Sequence, residues 1–207
     1  MLLGGPGNDD YRYSAGDGSD MINDESGDDV IRVTGSNLLV GARRVGDDLV
    51  FHLSDGSTPR IVNHFAGSPI EEIRDNGQGY NLATGLTGGS QRDFIVGTDS
   101  GDTLVGNGGD DVLFAGDGPD KLKGAAGNDF LDGGFADFDA DIFAFTPGAG
   151  HDVIANFELG IDKLKLTSGL TGSGQIIGSD TLVTLSDGGS IALIGVSGWS
   201  NDSELGI

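Results

Sequence analysis

Apolar residues recur at Ile95, Leu104, Leu113, Leu122 and Leu131, one every nine positions. Each follows an aspartate by two positions, giving a second row at Asp93, Asp102, Asp111, Asp120 and Asp129, and glycine-rich sequence precedes most of these aspartates. Nine residues divide naturally into a six-residue turn and a three-residue strand whose central side chain points inward. Two such units make one coil, so turns on the same side return every eighteen residues. Asp93, Asp111 and Asp129 then stack along one edge, and Asp102 and Asp120 along the other. The pattern also opens the chain. Gly4 to Arg12 is one copy, Ala15 to Asn23 is a second after a two-residue insertion, and Asp24 to Arg32 is a degenerate third that keeps Gly27, Asp29 and Ile31.

Between these blocks the pattern changes to strands. Residues 47–53, a turn at 54–57 and residues 58–65 predict a hairpin, and residues 70–74 followed by Asp75-Asn76-Gly77 predict a further strand and turn. After Gly133-Gly134 the register breaks. Phe143 arrives three residues late, with Asp141 as the nearest replacement for the expected aspartate, because the count itself falls on Phe138. Residues 181–185 and 190–196 around Ser186-Asp187-Gly188-Gly189 predict a terminal hairpin that would cover the apolar end of a solenoid. The expected organisation is a short repeat block over 1–32, a flanking β segment over 33–84, a main roll over 85–143 and a cap over 144–207.

Composition narrows the chemistry. The 39 glycines in 207 residues suit tight turns, and the regular apolar positions argue for a solenoid over a disordered tract. A formal net charge of -22 opposes compaction unless cations neutralise it, and it disfavours nucleic acid as a partner. A turn of carbonyls and one carboxylate suits calcium, which takes six to eight oxygen ligands. Zinc and copper are poorly served, since there is no cysteine and the three histidines, His52, His64 and His151, have no ligand spacing and read as surface or strand residues. No H-E-x-x-H or G-x-S-x-G occurs, so no catalytic constellation is expected, and no stretch reaches the length of a transmembrane helix. Trp199 is expected to pack in the cap.

The repeats have the form G-G-x-G-x-D-x-U-x, with U a large apolar residue, and on these residues the chain resembles the RTX, or haemolysin-type, calcium-binding proteins. The resemblance implies an all-β fold, a calcium-binding parallel β-roll with antiparallel flanking and capping segments. Residues 150–166, with Asp152-Val153-Ile154, Asn156-Phe157 and Gly160-Ile161-Asp162-Lys163-Leu164, look like the closing part of a serralysin-type C-terminal domain, whose strands cap the roll. Ser203 to Ile207 resembles the terminal signal of type I secretion substrates.

The resemblance also implies a ligand set. An ion lies between positions two, four and six of one turn and positions one, three and six of the next turn on that side, only the sixth giving a side chain. On one edge Gly89, Gln91 and Asp93 would face Gly106, Gly108 and Asp111, and Asn107, Gly109 and Asp111 would face Gly124, Ala126 and Asp129. On the other edge Thr98, Ser100 and Asp102 would face Ala115, Asp117 and Asp120. Gly116, Gly118 and Asp120 would face Gly133, Phe135 and Asp141. In the first block Gly5, Gly7 and Asp9 would face Asp24, Ser26 and Asp29. Gly16, Gly18, Asp20, Ala125, Gly127 and Asp152 complete the candidate ligands. Gln91 and Ser100 replace glycine, which implies weaker binding in those turns.

The expected function follows: a non-catalytic module that stays extended in the cytosol, passes a bacterial type I secretion apparatus and folds on calcium outside the cell. The alternative is an accessory module for an acidic polysaccharide, like the repeat modules of mannuronan C5-epimerases, using Lys121 and Lys123 with Lys163 and Lys165.

Overall fold

The computed structural model describes residues 1–35, 39–67, 70–75, 77–83, 85–134 and 138–199. Among them every regular element is a β-strand, and they form two compact units, Met1–Gly85 and Leu86–Ile207.

The first unit contains β1 (Leu2–Leu3), β2 (Asp10–Tyr13), β3 (Met21–Asn23), β4 (Val30–Val33), β5 (Leu39–Val45), β6 (Asp48–Leu53), β7 (Arg60–Ile61), β8 (Glu72–Asp75) and β9 (Gln78–Leu82). β2, β4 and β8 are parallel neighbours, with Tyr11 beside Ile31 beside Ile73. β1, β3 and β7 form the facing parallel row, with Leu2 beside Ile22 beside Ile61. The long loop between the second and third coils is itself folded. β6 runs antiparallel to both β5 and β7, and β9 returns antiparallel on β8. The hairpin expected from residues 47–65 is the β6–β7 pair. β5 has no counterpart in the hydropathy pattern, because Gly41, Arg43 and Arg44 break the alternation.

The second unit contains β10 (Asp93–Val96), β11 (Thr103–Gly108), β12 (Val112–Phe114), β13 (Lys121–Ala126), β14 (Phe130–Asp132), β15 (Ile142–Phe145), β16 (His151–Ala155), β17 (Lys163–Leu166), β18 (Gly172–Ile177), β19 (Asp180–Leu185) and β20 (Ser190–Leu193). Its core is two facing rows in register. Ile95, Leu113, Leu131, Ile154 and Leu193 form one, across β10, β12, β14, β16 and β20. Leu104, Leu122, Phe143 and Leu164 form the other, across β11, β13, β15 and β17. All nine side chains are fully buried. Eighteen-residue steps join the regular coils. The step from Leu122 to Phe143 absorbs the three-residue insertion without breaking the row.

The roll extends beyond residue 143. β16 and β17 pair in parallel with β14 and β15 and so build a further coil, where the sequence pattern led us to expect capping strands. The antiparallel closure is made by β20, β19 and β18. There Trp199 packs on Phe157, and a Cβ on Gly174 would meet its indole Nε1 at 2.2 Å. His64, expected at the surface or in a strand, is instead buried in a turn, its Nδ1 accepting the Ile70 N–H.

Candidate metal centres in the turns

The aspartates ending the turns use their two carboxylate oxygens for different tasks. Oδ1 accepts the backbone N–H of the equivalent aspartate one coil earlier. On one edge Asp93 donates to Asp111, Asp111 to Asp129 and Asp129 to Asp152, each at 2.9 Å. On the other edge Asp102 donates to Asp120 at 2.6 Å, Asp120 to Asp141 at 2.8 Å and Asp141 to Asp162 at 2.9 Å. The chain runs straight from turn to strand at each aspartate, so this one bond fixes both the carboxylate and the coil spacing.

Oδ2 separates the turns into two kinds. In the turn ending at Asp93 it accepts the Gly89 N–H at 2.6 Å, and in the turn ending at Asp102 it accepts the Thr98 N–H and hydroxyl at 2.7 Å. Asp162 does the same with the Glu158 N–H at 2.8 Å. In the turns ending at Asp111, Asp129 and Asp152, Oδ2 is buried with no hydrogen-bond partner. The difference tracks the backbone. Positions two and four are left-handed at Asn107 and Gly109, at Ala125 and Gly127, and at Gly148 and Gly150, whereas Gly89, Gln91, Thr98 and Ser100 do not have positive φ. Glycine tolerates that conformation freely, and Gln91 and Ser100 stand where it is missing.

A buried, unpaired carboxylate oxygen is costly. Burial, reinforced by Asp129 and Asp93, pushes Asp111 up to about 7 against the lowering effect of the Asp93 N–H. Burial likewise pushes Asp152 up to about 7 and Asp129 to about 6. An oxygen-only site of stacked carboxylates and turn carbonyls fits calcium and offers nothing soft to a thiophilic metal. The turn carbonyls are also part of the coil-to-coil zipper. Gly89 O accepts the Gly108 N–H at 3.1 Å, and Ala126 O accepts the Gly109 N–H at 3.0 Å, each keeping a second lone pair.

The first position of each turn presses on this carboxylate. A Cβ on Gly106 would lie 2.2 Å from Asp111 Oδ2, and one on Gly124 would lie 2.0 Å from Asp129 Oδ2. On the opposite edge Ala115 is accommodated and fully buried, and a Cβ on Gly116 would meet Thr98 O at 2.3 Å. Gly118 packs on Ser100, Asp117 is exposed, and Gly133 approaches Asp141 Oδ2. Phe135 lies outside the described residues, as does the terminal segment from Ser203 to Ile207.

In the first unit Asp9 donates its N–H to Asp29 Oδ1 at 2.7 Å, and Gly5, Gly7 and Ser26 are zipped by Gly7 N–H to Ser26 O at 2.7 Å and Ser26 N–H to Gly5 O at 3.4 Å. Carboxylate oxygens of Asp9, Asp24 and Asp29 lie within 4.8 Å of one another. Burial pushes Asp29 up to about 6. Gly16, Gly18 and Asp20 are not drawn into such a stack. The Gly16 N–H binds Asp55 Oδ2 at 2.9 Å, Ser19 pairs with Thr58, and half-exposed Asp20 accepts the Met1 ammonium at 3.2 Å.

Two members of the ladders escaped sequence reading. Glu71 accepts the Asp29 N–H at 2.8 Å, standing where the next coil would supply an aspartate. Asp162 closes the other ladder, and its signal is Gly160-Ile161-Asp162, a turn ending that keeps the fourth and sixth positions of the repeat.

The model of the RTX calcium-binding nonapeptide repeat matches residues 14–41, 87–122 and 105–137. Among solved structures, the extracellular lipase LipA from Serratia marcescens is similar over 96% of this chain at 20% identity and a TM-score of 0.43. This chain spans 38% of that lipase. The AlgE6R3 subunit from the Azotobacter vinelandii mannuronan C5-epimerase is similar over 56% of this chain and 79% of its own, at 27% identity and a TM-score of 0.44. No curated protein sequence matches.

Proposed function

We propose that this chain, which carries RTX calcium-binding nonapeptide repeats, is a non-catalytic module that folds when it meets calcium outside the cell and supports type I export and folding of a longer parent protein. The observation that carries this reading is the set of buried, unpaired Oδ2 atoms at Asp111, Asp129 and Asp152 in a chain of net charge -22. Without cations, folding must bury those carboxylates without a charge partner or take up protons onto them. With cations the same oxygens become ligands, so binding energy becomes folding energy. Extracellular calcium modules bind at about 10⁻⁴ to 10⁻³ M, above cytosolic calcium, which keeps the chain extended until after export. Far-UV circular dichroism during a calcium titration of chelator-treated protein tests this. Strand signal should grow in over that range, and a fully folded spectrum in chelator would contradict the proposal.

A second reading rests on a separate observation. All four lysines of the chain lie on the outer face of one sheet. Lys121 and Lys163 flank Ile142 in register, and Lys165 lies beside Ala144 on the same face, with Lys123 two residues along from Lys121. Such a cluster of cations on an otherwise acidic chain suits an acidic polysaccharide. Calorimetry with alginate in calcium should show binding that Lys121→Glu with Lys163→Glu abolishes. Heat changes indistinguishable between variant and parent would remove this reading.

A further inference from the structure

We infer that Asp24 converts the first unit's paired turns into a three-carboxylate site that binds hard cations more tightly than any site between the stacked turns of the second unit. The inference rests on the calcium-binding reading above and goes beyond it in assigning Asp24 a side-chain ligand. The repeat pattern gives Asp24 only a main-chain carbonyl, because it holds the first position of its turn.

Three observations place the side chain in the cluster. Asp24 is 2% exposed and Asp29 is 0% exposed, and the Oδ2 of each is buried with no hydrogen-bond partner. Oxygens of both lie within 4.8 Å of Asp9, and among the described residues this is the group of three acidic side chains that comes so close. Tyr11 Oη donates to Asp24 Oδ1 at 2.7 Å and so orients the carboxylate, leaving Oδ2 free for an ion. The local sequence is built around this arrangement. A Cβ on Gly4 would fall 1.9 Å from Asp24 Oδ1 and 2.1 Å from Tyr11 Oη, so the close approach needs glycine there. Glu71, holding the Asp29 N–H, adds a fourth carboxylate beside the cluster.

Asp24 and Asp29 are buried and Asp9 is half-buried, so their crowded charges repel one another with little water between them, and a cation bound among them relieves that repulsion. In oxygen sites affinity rises with the number of charged ligands and with rigidity. In the second unit the ladder supplies one aspartate from each of two stacked turns. Here a third carboxylate is added and held by a phenol, which favours early filling and a trivalent ion over a divalent one.

Terbium(III) is a suitable probe, being a hard ion that takes oxygen ligands and emits when a nearby tyrosine transfers excitation to it. In the full chain, tyrosine-excited emission should saturate before the second unit's sites fill, and calcium should displace it. Tyr11→Phe should remove most of that emission. Asp24→Asn keeps the size and can still accept the Tyr11 hydrogen bond. It should weaken terbium and calcium at this site at least about tenfold, given how charged-ligand number tunes such sites. Emission unchanged in Tyr11→Phe, or a parent-like midpoint in Asp24→Asn, would overturn the inference. Calcium binding lost through Asp111→Asn but indifferent to Asp24→Asn would sink this inference alone. A parent chain that binds no calcium by calorimetry would sink the broader reading with it.

Discussion

The two units solve the same geometric problem with different tolerance for irregular sequence. In the second unit the steps along one edge are 18, 18 and 23 residues and along the other 18, 21 and 21, and every coil still delivers an aspartate whose Oδ1 takes the preceding N–H. In the first unit one edge steps by 20 and then 42 residues and keeps its carboxylates as Asp9, Asp29 and Glu71. The other edge steps by 39, and there Ser19, Asp55 and Thr58 replace the stack. The apolar row survives even there, with Ile22 beside Ile61, both fully buried. The inward row therefore accepts insertions of any length that return the strand in register. The carboxylate row requires, in addition, that the residue before the strand be acidic.

This contrast is best broken at the shared element first. Leu122→Ala should destabilise the calcium-loaded second unit by about 2–5 kcal/mol, as expected for an emptied, fully buried leucine site. Ile22→Ala should act on the first unit by a similar amount. Denaturant melts that show one variant loosening both units equally would contradict the assignment of each apolar row to its own unit.

Acidity should separate the states of the second unit. Asp111 and Asp152 are pushed up to about 7 and Asp129 to about 6, from an ordinary value of 3.8. Between those limits the folded, metal-free chain holds protons that the unfolded chain has lost. Its stability is thus greatest below about pH 4 and is withdrawn as pH rises to about 7. Calcium must displace the same protons, so its midpoint should rise as pH drops from 7 to 5.5. Calcium titrations followed by circular dichroism at several pH values check this, and a midpoint independent of pH would contradict it.

The smallest effect concerns the turn backbone. Ala125 holds φ 84, a left-handed conformation that costs a non-glycine residue roughly 1 kcal/mol. Ala125→Gly should recover a part of that, measurable as a higher melting temperature in calcium.

The sequence made some of this architecture plain and hid the rest for physical reasons. The nine-residue period was visible because each repeat commits both a side chain and a glycine conformation, so Asp93 to Asp129 could be stacked by counting. Glu71 was hidden because it lies 42 residues from Asp29 and its side chain is longer than the motif prescribes. Asp24 was assigned through its position in the turn, which says nothing of its side chain, whereas the Tyr11 hydrogen bond and the nearby Asp9 and Asp29 oxygens show where its carboxylate goes. β5 and β18 were missed because glycine and charge mask their alternation, and their pairing partners, β6 and β19, determine them instead.

Backbone hydrogen exchange, resolved by unit, tests the central claim most directly, since the ladder amides of Asp93, Asp111 and Asp129 lie beside the carboxylates that calcium would bind. The account predicts that these amides exchange rapidly in chelator and become strongly protected in millimolar calcium. Protection of the same amides in chelator, unchanged when calcium is added, would contradict it.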